Sequence, residues 1–248
     1  MKNFIPGLII LLSALISANA VADTPAGLTP YSATYNLTHG NMRLGETTFE
    51  LRHEDDRILF SGTAQPTGMA SIVRSDRINE RSELRLGDDG ELITLRYDFL
   101  HKRGSRTEEE LSIDFDWEEM EALSVVDGEE YRLPVSTGAM DRFSLQLRVM
   151  QHMSEGRSCP MNFETVEEDE VHEYEVTEEG RYRVKTAAGE FLTVRLDRHH
   201  GKRLTIFWSV PELDYLPVRM ETRREDRRTA RLDLKSLSGP LAERLEKD

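Results

Sequence analysis

Apolar and polar residues alternate with a period of two along most of this chain, the pattern of strands buried on one face. The first such segment is Tyr31–Leu37, and Gly40-Asn41 after it predicts a turn. The same alternation recurs in Ile58–Ala64, Leu92–Leu100, Leu111–Trp117, Leu192–Leu196, Leu204–Trp208, Val218–Met220 and Ala230–Leu234. Turn residues such as Asp88-Asp89-Gly90 and Asp127-Gly128 separate these segments, so the pattern predicts many short antiparallel strands.

The second alternating segment changes its parity. Met42 and Leu44 share one parity, whereas the apolar residues of Thr47–Leu51 share the other. A switch of this kind at Gly45-Glu46 predicts a β-bulge, and bulges bend sheets. The sheet is therefore expected to be strongly curved.

The segment Ile72–Leu86 has an unusual pattern, because its apolar residues share a parity with charged residues such as Asp76 and Glu80. Two interpretations are open. The segment is either an edge strand that inward charges protect from pairing, or the lining of a wet cavity. An edge or partly exposed strand is the preferred interpretation.

One segment, Met140 to Met153, has helical periodicity and contains neither Gly nor Pro. Its apolar residues form two adjacent stripes: Phe143, Leu147, Met150 and Leu145, Val149, Met153. Asp141, with Ser144 three residues later, is placed to cap the helix N-terminus, and Gly156 is a suitable stop. The pattern predicts one amphipathic helix.

More than ten strands with short connections and one helix exclude a parallel α/β fold. The predicted class is mainly β, a large curved antiparallel sheet or half-open barrel with the amphipathic helix packed on it. Sheets of this size tend to curl or close.

The N-terminus has the features of a secretory signal. Lys2 precedes an apolar run from Leu8 to Ile16, and small residues at Ala20 and Ala22 suit cleavage. We therefore expect a signal peptide over residues 1–22, one β-rich domain over 23–248, a periplasmic location and no transmembrane anchor after cleavage. The only cysteine is Cys159, which excludes an intramolecular disulfide.

The formal net charge of −14 argues against nucleic acid as a partner and against simple adsorption to anionic lipid. Basic residues cluster locally, at 101–106, 198–203 and 223–228, where the pattern places hairpin tips. A solvated turn is the preferred interpretation of each cluster, and an anion-attracting rim is the alternative if the tips converge.

Catalytic motifs are absent from the sequence: it contains no nucleophile elbow, phosphate-cradling loop or zinc-ligand spacing. His199-His200 falls at a predicted turn, where neighbouring side chains point to opposite faces. We expect no cofactor, no bound metal and no catalytic residue, so an enzyme is only the third hypothesis.

Four motifs resemble a family of exported bacterial proteins, domain of unknown function number 3108. They are Tyr31–Leu37 leading to Gly45; Phe115-Asp116-Trp117; Asp141 with Ser144; and Trp208-x-x-Pro211 followed by Tyr215–Arg219. The resemblance covers nearly all of the chain after the signal, although the acidic stretch Glu164–Glu179 goes beyond the shared pattern. It implies a periplasmic antiparallel β protein, similar in outline to half-open barrels that shield lipoprotein acyl chains, and it supplies no activity.

The leading hypothesis is a carrier-type binding protein that holds an apolar or amphipathic, lipid-like ligand between the sheet and the helix. The candidate ligand-binding residues are Trp117, Phe143, Leu147, Met150, Trp208, Tyr215 and Asp116. The aromatic residues would line the cavity or else fill the core, and Asp116 would meet a polar headgroup or else cap a turn. The alternative is an envelope assembly factor with a packed interior that pairs with a protein partner through Ile72–Leu86.

Overall fold

The computed structural model describes residues 28–245, except 41, 69–70, 72–74 and 226 and the side chains of 227–229. The expected signal peptide, residues 1–22, lies outside the described residues. Within them, no helix has both the length and the apolar character needed to cross a membrane.

Over the described ranges, fifteen strands form one sheet, in the order β8-β7-β6-β5-β4-β3-β2-β1-β15-β14-β13-β12-β11-β10-β9. Their bounds are β1 Tyr31–His39, β2 Met42–Glu54, β3 Arg57–Pro66, β4 Asp76–Leu86, β5 Leu92–Arg103, β6 Arg106–Asp116, β7 Glu121–Val126, β8 Glu129–Pro134, β9 Met140–Asp141, β10 Met161–Glu167, β11 Glu170–Thr186, β12 Gly189–His200, β13 Arg203–Val210, β14 Leu216–Arg224 and β15 Arg227–Ser238. All neighbouring pairs are antiparallel except β9 and β10. The predicted mainly β class and antiparallel sheet are confirmed.

The strand register places the alternating apolar residues of each strand on one face of the sheet, which we call the inner face. Ala33 of β1 lies opposite Phe49 of β2 and Leu237 of β15. Leu51 lies opposite Phe60 of β3. These positions belong to one hydrophobic core, so the sheet buries its inner face, as the alternation predicts.

The helix α1 (Leu145–Ser154) follows β9 in the chain and precedes β10, and its buried residues pack into the core on the inner face. It begins later than Met140 because Met140 and Asp141 pair with β10 as the short strand β9. Gly156 ends it in the predicted way, with φ +77° and an N–H that donates to the Met153 carbonyl at 3.1 Å.

Charged groups fix the C-terminal half of α1 to the connection between β4 and β5. Glu91 accepts from Arg148 Nη1 at 2.7 Å and contacts His152 Nε2 at 3.1 Å and Arg157. Burial alone would raise the pKa of Glu91, and the hydrogen bonds from His152 and Arg157 bring it below its ordinary value. Gln151 adds a bond to the Gly90 carbonyl at 2.7 Å, so α1 is anchored at this end of the sheet.

The two halves of the sheet curl toward each other. Ser124 of β7 donates to the carbonyl of Glu168, in the turn between β10 and β11. The backbone N–H of Ser136, just after β8, donates to Glu164 of β10 at 2.7 Å. Among the described residues no ladder joins β8 to β9, so the sheet has the shape of an unclosed barrel.

The predicted bulge is present at the start of β2, where the register shifts between Leu37 and Thr38 of β1. Gly45 lies in the bulge, and a Cβ built there would meet the Gln65 carbonyl oxygen of β3 at 2.1 Å. Only glycine permits this close approach of the two backbones.

Gly45→Ala is therefore expected to reduce the free energy of unfolding by about 1–3 kcal/mol, because β2 and β3 must move apart to admit the methyl group. Urea unfolding followed by circular dichroism measures the change. Glu50→Ala, on the outer face of the same strand, is the matched control and should stay within about 0.5 kcal/mol of the parent. Equal stability of the two variants would contradict this account of the bulge.

For the described part of Ile72–Leu86, the expected position at an edge is wrong, although the strand is partly exposed as the same interpretation allowed. β4 lies inside the sheet, paired with both β3 and β5. Its inward charges have partners on β5 instead of guarding an edge: Asp76 contacts His101 at 3.1 Å and Arg103 at 3.0 Å. Ile72 itself lies outside the described residues.

Candidate binding site at the open end of the sheet

The space between the sheet and the start of α1 is filled by side chains. Phe143 stacks on Phe60, with ring centroids 4.1 Å apart, and lies 5.6 Å from Phe49. A Cβ built at Gly62 would lie 3.1 Å from Phe143 Cζ, which shows how closely the ring approaches the sheet. Leu147 and Met150 are also buried. In this conformation these three predicted ligand residues belong to the core.

Tyr215 and Met150 come together across a narrow slot between α1 and the wall formed by β11–β14. Its free volume is about 10 Å³, roughly the space of one water molecule. A ligand would enter this slot only after α1 had moved away from the sheet.

The other three predicted ligand residues lie elsewhere. Trp117 donates its indole N–H to the Thr94 carbonyl at 2.8 Å and stacks on Phe115. Asp116 accepts hydrogen bonds from the backbone N–H groups of Glu118 and Glu119. It therefore caps a turn, the role that the sequence offered as the alternative to binding a headgroup. Trp208 is on the outer face, opposite Arg219 of β14.

The most specific sequence motif, Trp208 to Arg219, forms a tight corner between β13 and β14. A 3₁₀ turn, Pro211–Leu213, is followed by positive φ angles at Asp214 and Tyr215. Asp214 is held by Arg244 at 2.5 Å, and Tyr35 donates to the Pro217 carbonyl at 2.8 Å. The contacts of this motif are structural.

Free space on the inner face remains at the end of the sheet that carries the β1–β2, β5–β6 and β12–β13 turns. We call it the open end, because α1 is anchored toward the opposite end. A cleft of about 270 Å³ lies there on the inner face of β1–β5. Its lining residues are Leu37, Leu44, Ala64, Gln65, Pro66, Asp76, Ile78, His101 and Arg103.

The cleft has an apolar wall and a charged rim. Leu37, Ala64 and Ile78 form the wall and are partly exposed. Asp76 at the rim has its pKa lowered by hydrogen bonds from His101 and Arg103, so the rim charges are mutually paired. The cleft therefore offers hydrocarbon surface beside satisfied polar groups, as small-molecule sites commonly do.

Below the cleft, one pair further along β4 and β5, lies a polar group of three residues, of which Tyr97 is fully buried and Glu80 and Arg142 are partly buried. Tyr97 donates to Glu80 at 3.0 Å, and Arg142 Nε donates to the Tyr97 hydroxyl oxygen at 3.2 Å. The Arg142 guanidinium lies 4.8 Å from the ring centroid of Phe99. Burial raises the pKa of Glu80, while the charge of Arg142 and the Tyr97 hydrogen bond oppose that shift.

On the opposite wall, Arg198 of β12 points inward between two aromatic rings. Its guanidinium carbon lies 4.9 Å from the centroid of Tyr174 and 5.5 Å from that of Phe207. Arg198 Nε is buried without a hydrogen-bond partner, and none of the described carboxylates makes an ion pair with this residue. Burial lowers its pKa.

A larger groove of about 570 Å³ lies over β3–β7, lined mostly by outer-face residues. Its arginines are paired with carboxylates. Arg96 pairs with Asp98 at 2.7 Å and with Asp114 at 2.8 Å, and Arg81 pairs with Glu83 at 2.8 Å. Because this groove lies mostly on the solvent-facing side of the sheet, the open end on the inner face is the better candidate site.

Sequence reasoning missed Arg142 and Arg198. Arg198 was grouped with the basic tip 198–203, yet it has the same parity as Val194 and Leu196, and that parity was the signal that it points inward. Arg142 stands next to a buried capping carboxylate in an otherwise apolar segment.

In the part of the chain that the structure describes, no group of three or more His, Cys, Asp or Glu residues is arranged to hold a metal ion.

These features define an antiparallel β protein, curled toward a barrel, with its helix inside and one end accessible. The chain belongs to the family described as Protein of unknown function (DUF3108), whose model matches residues 31–234. It is also similar to the crystal structure of a beta-barrel-like protein of domain of unknown function DUF1849 from Brucella abortus, with a TM-score of 0.58 and 13% identity over 85% of this chain and 98% of that one. At that identity the likeness concerns the fold alone. No match is found among curated proteins.

Proposed function

We propose that this is a periplasmic, non-enzymatic binding protein that holds an apolar or amphipathic, lipid-like ligand at the open end of its curled sheet. The observation that carries the proposal is the cleft of about 270 Å³ on the inner face, with Leu37, Ala64 and Ile78 on its wall. Because side chains fill the space around Phe143, we expect the ligand at the open end and not beneath the helix.

The size and chemistry of the cleft suit part of a chain-like ligand. Small-molecule sites typically measure about 300–1,000 Å³, so a cleft open to solvent at this volume would enclose one segment and leave the remainder outside. Apolar contact contributes about 25 cal/mol for each Å² removed from water. An apolar chain lying on the wall therefore gains affinity without any catalytic group.

Ile78→Gln is expected to weaken binding of dodecanol to the delipidated protein by tenfold or more, because it places an amide in the apolar wall. A tenfold change corresponds to about 1.4 kcal/mol. Asn79→Gln, at the exposed neighbouring position on the outer face, is the matched control and should change the affinity by less than twofold. Isothermal titration calorimetry measures both, and equal affinities for the two variants would place the ligand elsewhere.

The second function, protein pairing through a strand edge, has less support. With β4 inside the sheet, the two edge strands are the two-residue strand β9 and β8, which carries Glu129, Glu130 and Pro134. Charges and proline on an edge strand prevent pairing with other chains. Crosslinking in the periplasm distinguishes the two functions, since a protein partner captured without bound lipid would favour pairing.

A further inference from the structure

We infer that Arg203 and Arg224 form an anion site on the rim of the open end, and that the ligand of the proposed function carries a carboxylate or phosphate group that binds there. We call these two residues the rim pair. The inference rests on the proposed function for the apolar part of the ligand. For the anion it rests on the strand register and on the charges around the rim pair.

The register brings two of the three basic turns together. Arg203 of β13 lies directly opposite Arg224 of β14, and His200 of β12 lies opposite Arg203 on the other side. Directly opposed residues have Cβ atoms about 4.5–5.5 Å apart, and like charges in such a pair destabilise a sheet. An anion between the two guanidinium groups would remove this repulsion. The two turns thus meet the condition under which the sequence predicted an anion-attracting rim.

The rim pair differs from its neighbours in having no carboxylate partner. At the same two tips, Lys202 pairs with Glu225 at 2.6 Å, and Arg223 pairs with Glu221 at 2.7 Å. The arginines of the third basic turn, 101–106, are also paired with carboxylates. Among the described residues, no carboxylate makes an ion pair with either member of the rim pair, although both are exposed.

The rim pair lies on the inner face, at the mouth of the open end. Arg203 has the parity of Phe207, and β13 has no register shift between the two positions. Burial lowers the pKa of Arg198, and the charge of Arg203 acts in the same direction, so the Arg203 side chain lies near the interior. Glu167 is on β10, three strand spacings or about 14 Å along the sheet from β13, and it accepts the Tyr174 hydroxyl at 2.5 Å.

A continuous path on the inner face leads from the rim pair to the cleft. Below the pair lie Thr205 and Thr222, opposite each other, and then Phe207 opposite Met220. Leu37 of the cleft wall lies in the same row as Met220, with β15 between them. Met220 precedes the rim position of β14 by four residues, which is about 13 Å along the strand. An extended dodecyl chain whose headgroup meets the rim pair therefore reaches the level of the cleft wall.

Two adjacent guanidinium groups determine the chemistry of the headgroup. A guanidinium donates two parallel hydrogen bonds to the oxygens of a carboxylate or phosphate, and these charge-assisted bonds are stronger than neutral ones. It also keeps its positive charge at every physiological pH. An alcohol headgroup gains neither the ion pair nor the second acceptor, so the rim pair should select an anionic ligand over a neutral one with the same chain.

The test titrates inorganic phosphate, dodecanoate and dodecanol into the delipidated protein and measures binding by isothermal titration calorimetry. We expect dodecanoate to bind at least tenfold more tightly than dodecanol. Arg203→Gln and Arg224→Gln should each weaken dodecanoate binding at least fivefold and change the affinity for dodecanol by less than twofold. Arg57→Gln, at an exposed position at the opposite end of the sheet, changes the net charge equally and should alter neither affinity.

The other outcomes separate the anion site from the proposed function. Equal binding of dodecanoate and dodecanol, insensitive to both rim substitutions, would overturn the anion site and leave the apolar cleft supported; the tips would then be solvated turns. A preference for dodecanoate that survives both substitutions would also overturn it. Binding of inorganic phosphate that depends on the rim pair, with no gain from an alkyl chain, would support the anion site and contradict the lipid-like ligand. Failure of all three probes to bind would contradict both.

Discussion

Replacing Asp141 with alanine is expected to lower the free energy of unfolding by about 3–5 kcal/mol, as breaking a buried polar network does. Asp141 is fully buried. Its Oδ1 accepts from the backbone N–H groups of Phe143 and Ser144, both at 2.8 Å, and from the Ser82 hydroxyl at 2.9 Å. Alanine would leave three buried donors without an acceptor and would detach the start of α1 from β4. Urea unfolding measures the loss.

Asp141→Asn is the control, because its amide oxygen retains an acceptor at the Oδ1 position. Burial raises the pKa of Asp141, so a neutral side chain is not penalised for the lost charge. We expect asparagine to cost less than half as much as alanine. A similar loss for both variants would mean that the charge, and not the three hydrogen bonds, holds this junction.

Local patterns predicted the parts of the fold that local physics determines. Alternation located the strands, the parity switch located the bulge at Gly45, and Asp141 with Ser144 located the turn that precedes α1. The start of the helix shifted because β9 forms only when β10, some twenty residues later, is in place. Such a long-range pairing leaves no periodic signal in the strand itself.

The misplaced edge strand has a similar cause. Inward charges on β4 resemble edge protection when the strand is considered alone. Their partners come from β5. Tyr97 donates a hydrogen bond to Glu80, and His101 and Arg103 contact Asp76. The pattern of one strand does not reveal the cross-strand pairs that make an inward charge acceptable.

The candidate site was harder to predict than the fold. Aromatic residues suggested a cavity, but residue type does not distinguish a ring that faces free space from one that fills the core. Trp208 lies on the outer face with its partner Arg219, whereas its neighbour Phe207 lies on the inner face with Met220. The position in the strand, and not the residue type, determines which ring faces inward. Arg142 and Arg198 lie against Phe99 of β5 and against Tyr174 of β11 and Phe207 of β13, and the pattern around each arginine does not identify these neighbours from other strands.

The packing around Phe143 decides whether a ligand binds at the open end or beneath the helix. Phe143→Ala is expected to cost about 3–5 kcal/mol, because it removes a buried ring stacked on Phe60 and leaves a cavity against Phe49. Urea unfolding measures this loss. Leu192→Ala, whose side chain is 46% exposed, is the control and should cost well under half as much.

A loss below about 1 kcal/mol for Phe143→Ala would mean that the interior collapses around the missing ring with little cost, as a loosely filled interior does. The space beneath α1 would then be available to a ligand, and the site would return to the position between sheet and helix that the sequence suggests. With the full loss, the same variant should bind dodecanol as tightly as the parent, since Phe143 stacks on Phe60 in the core and does not line the cleft. Stability lost at Phe143 and affinity lost at Ile78 would then show that the core and the ligand site are separate parts of the inner face.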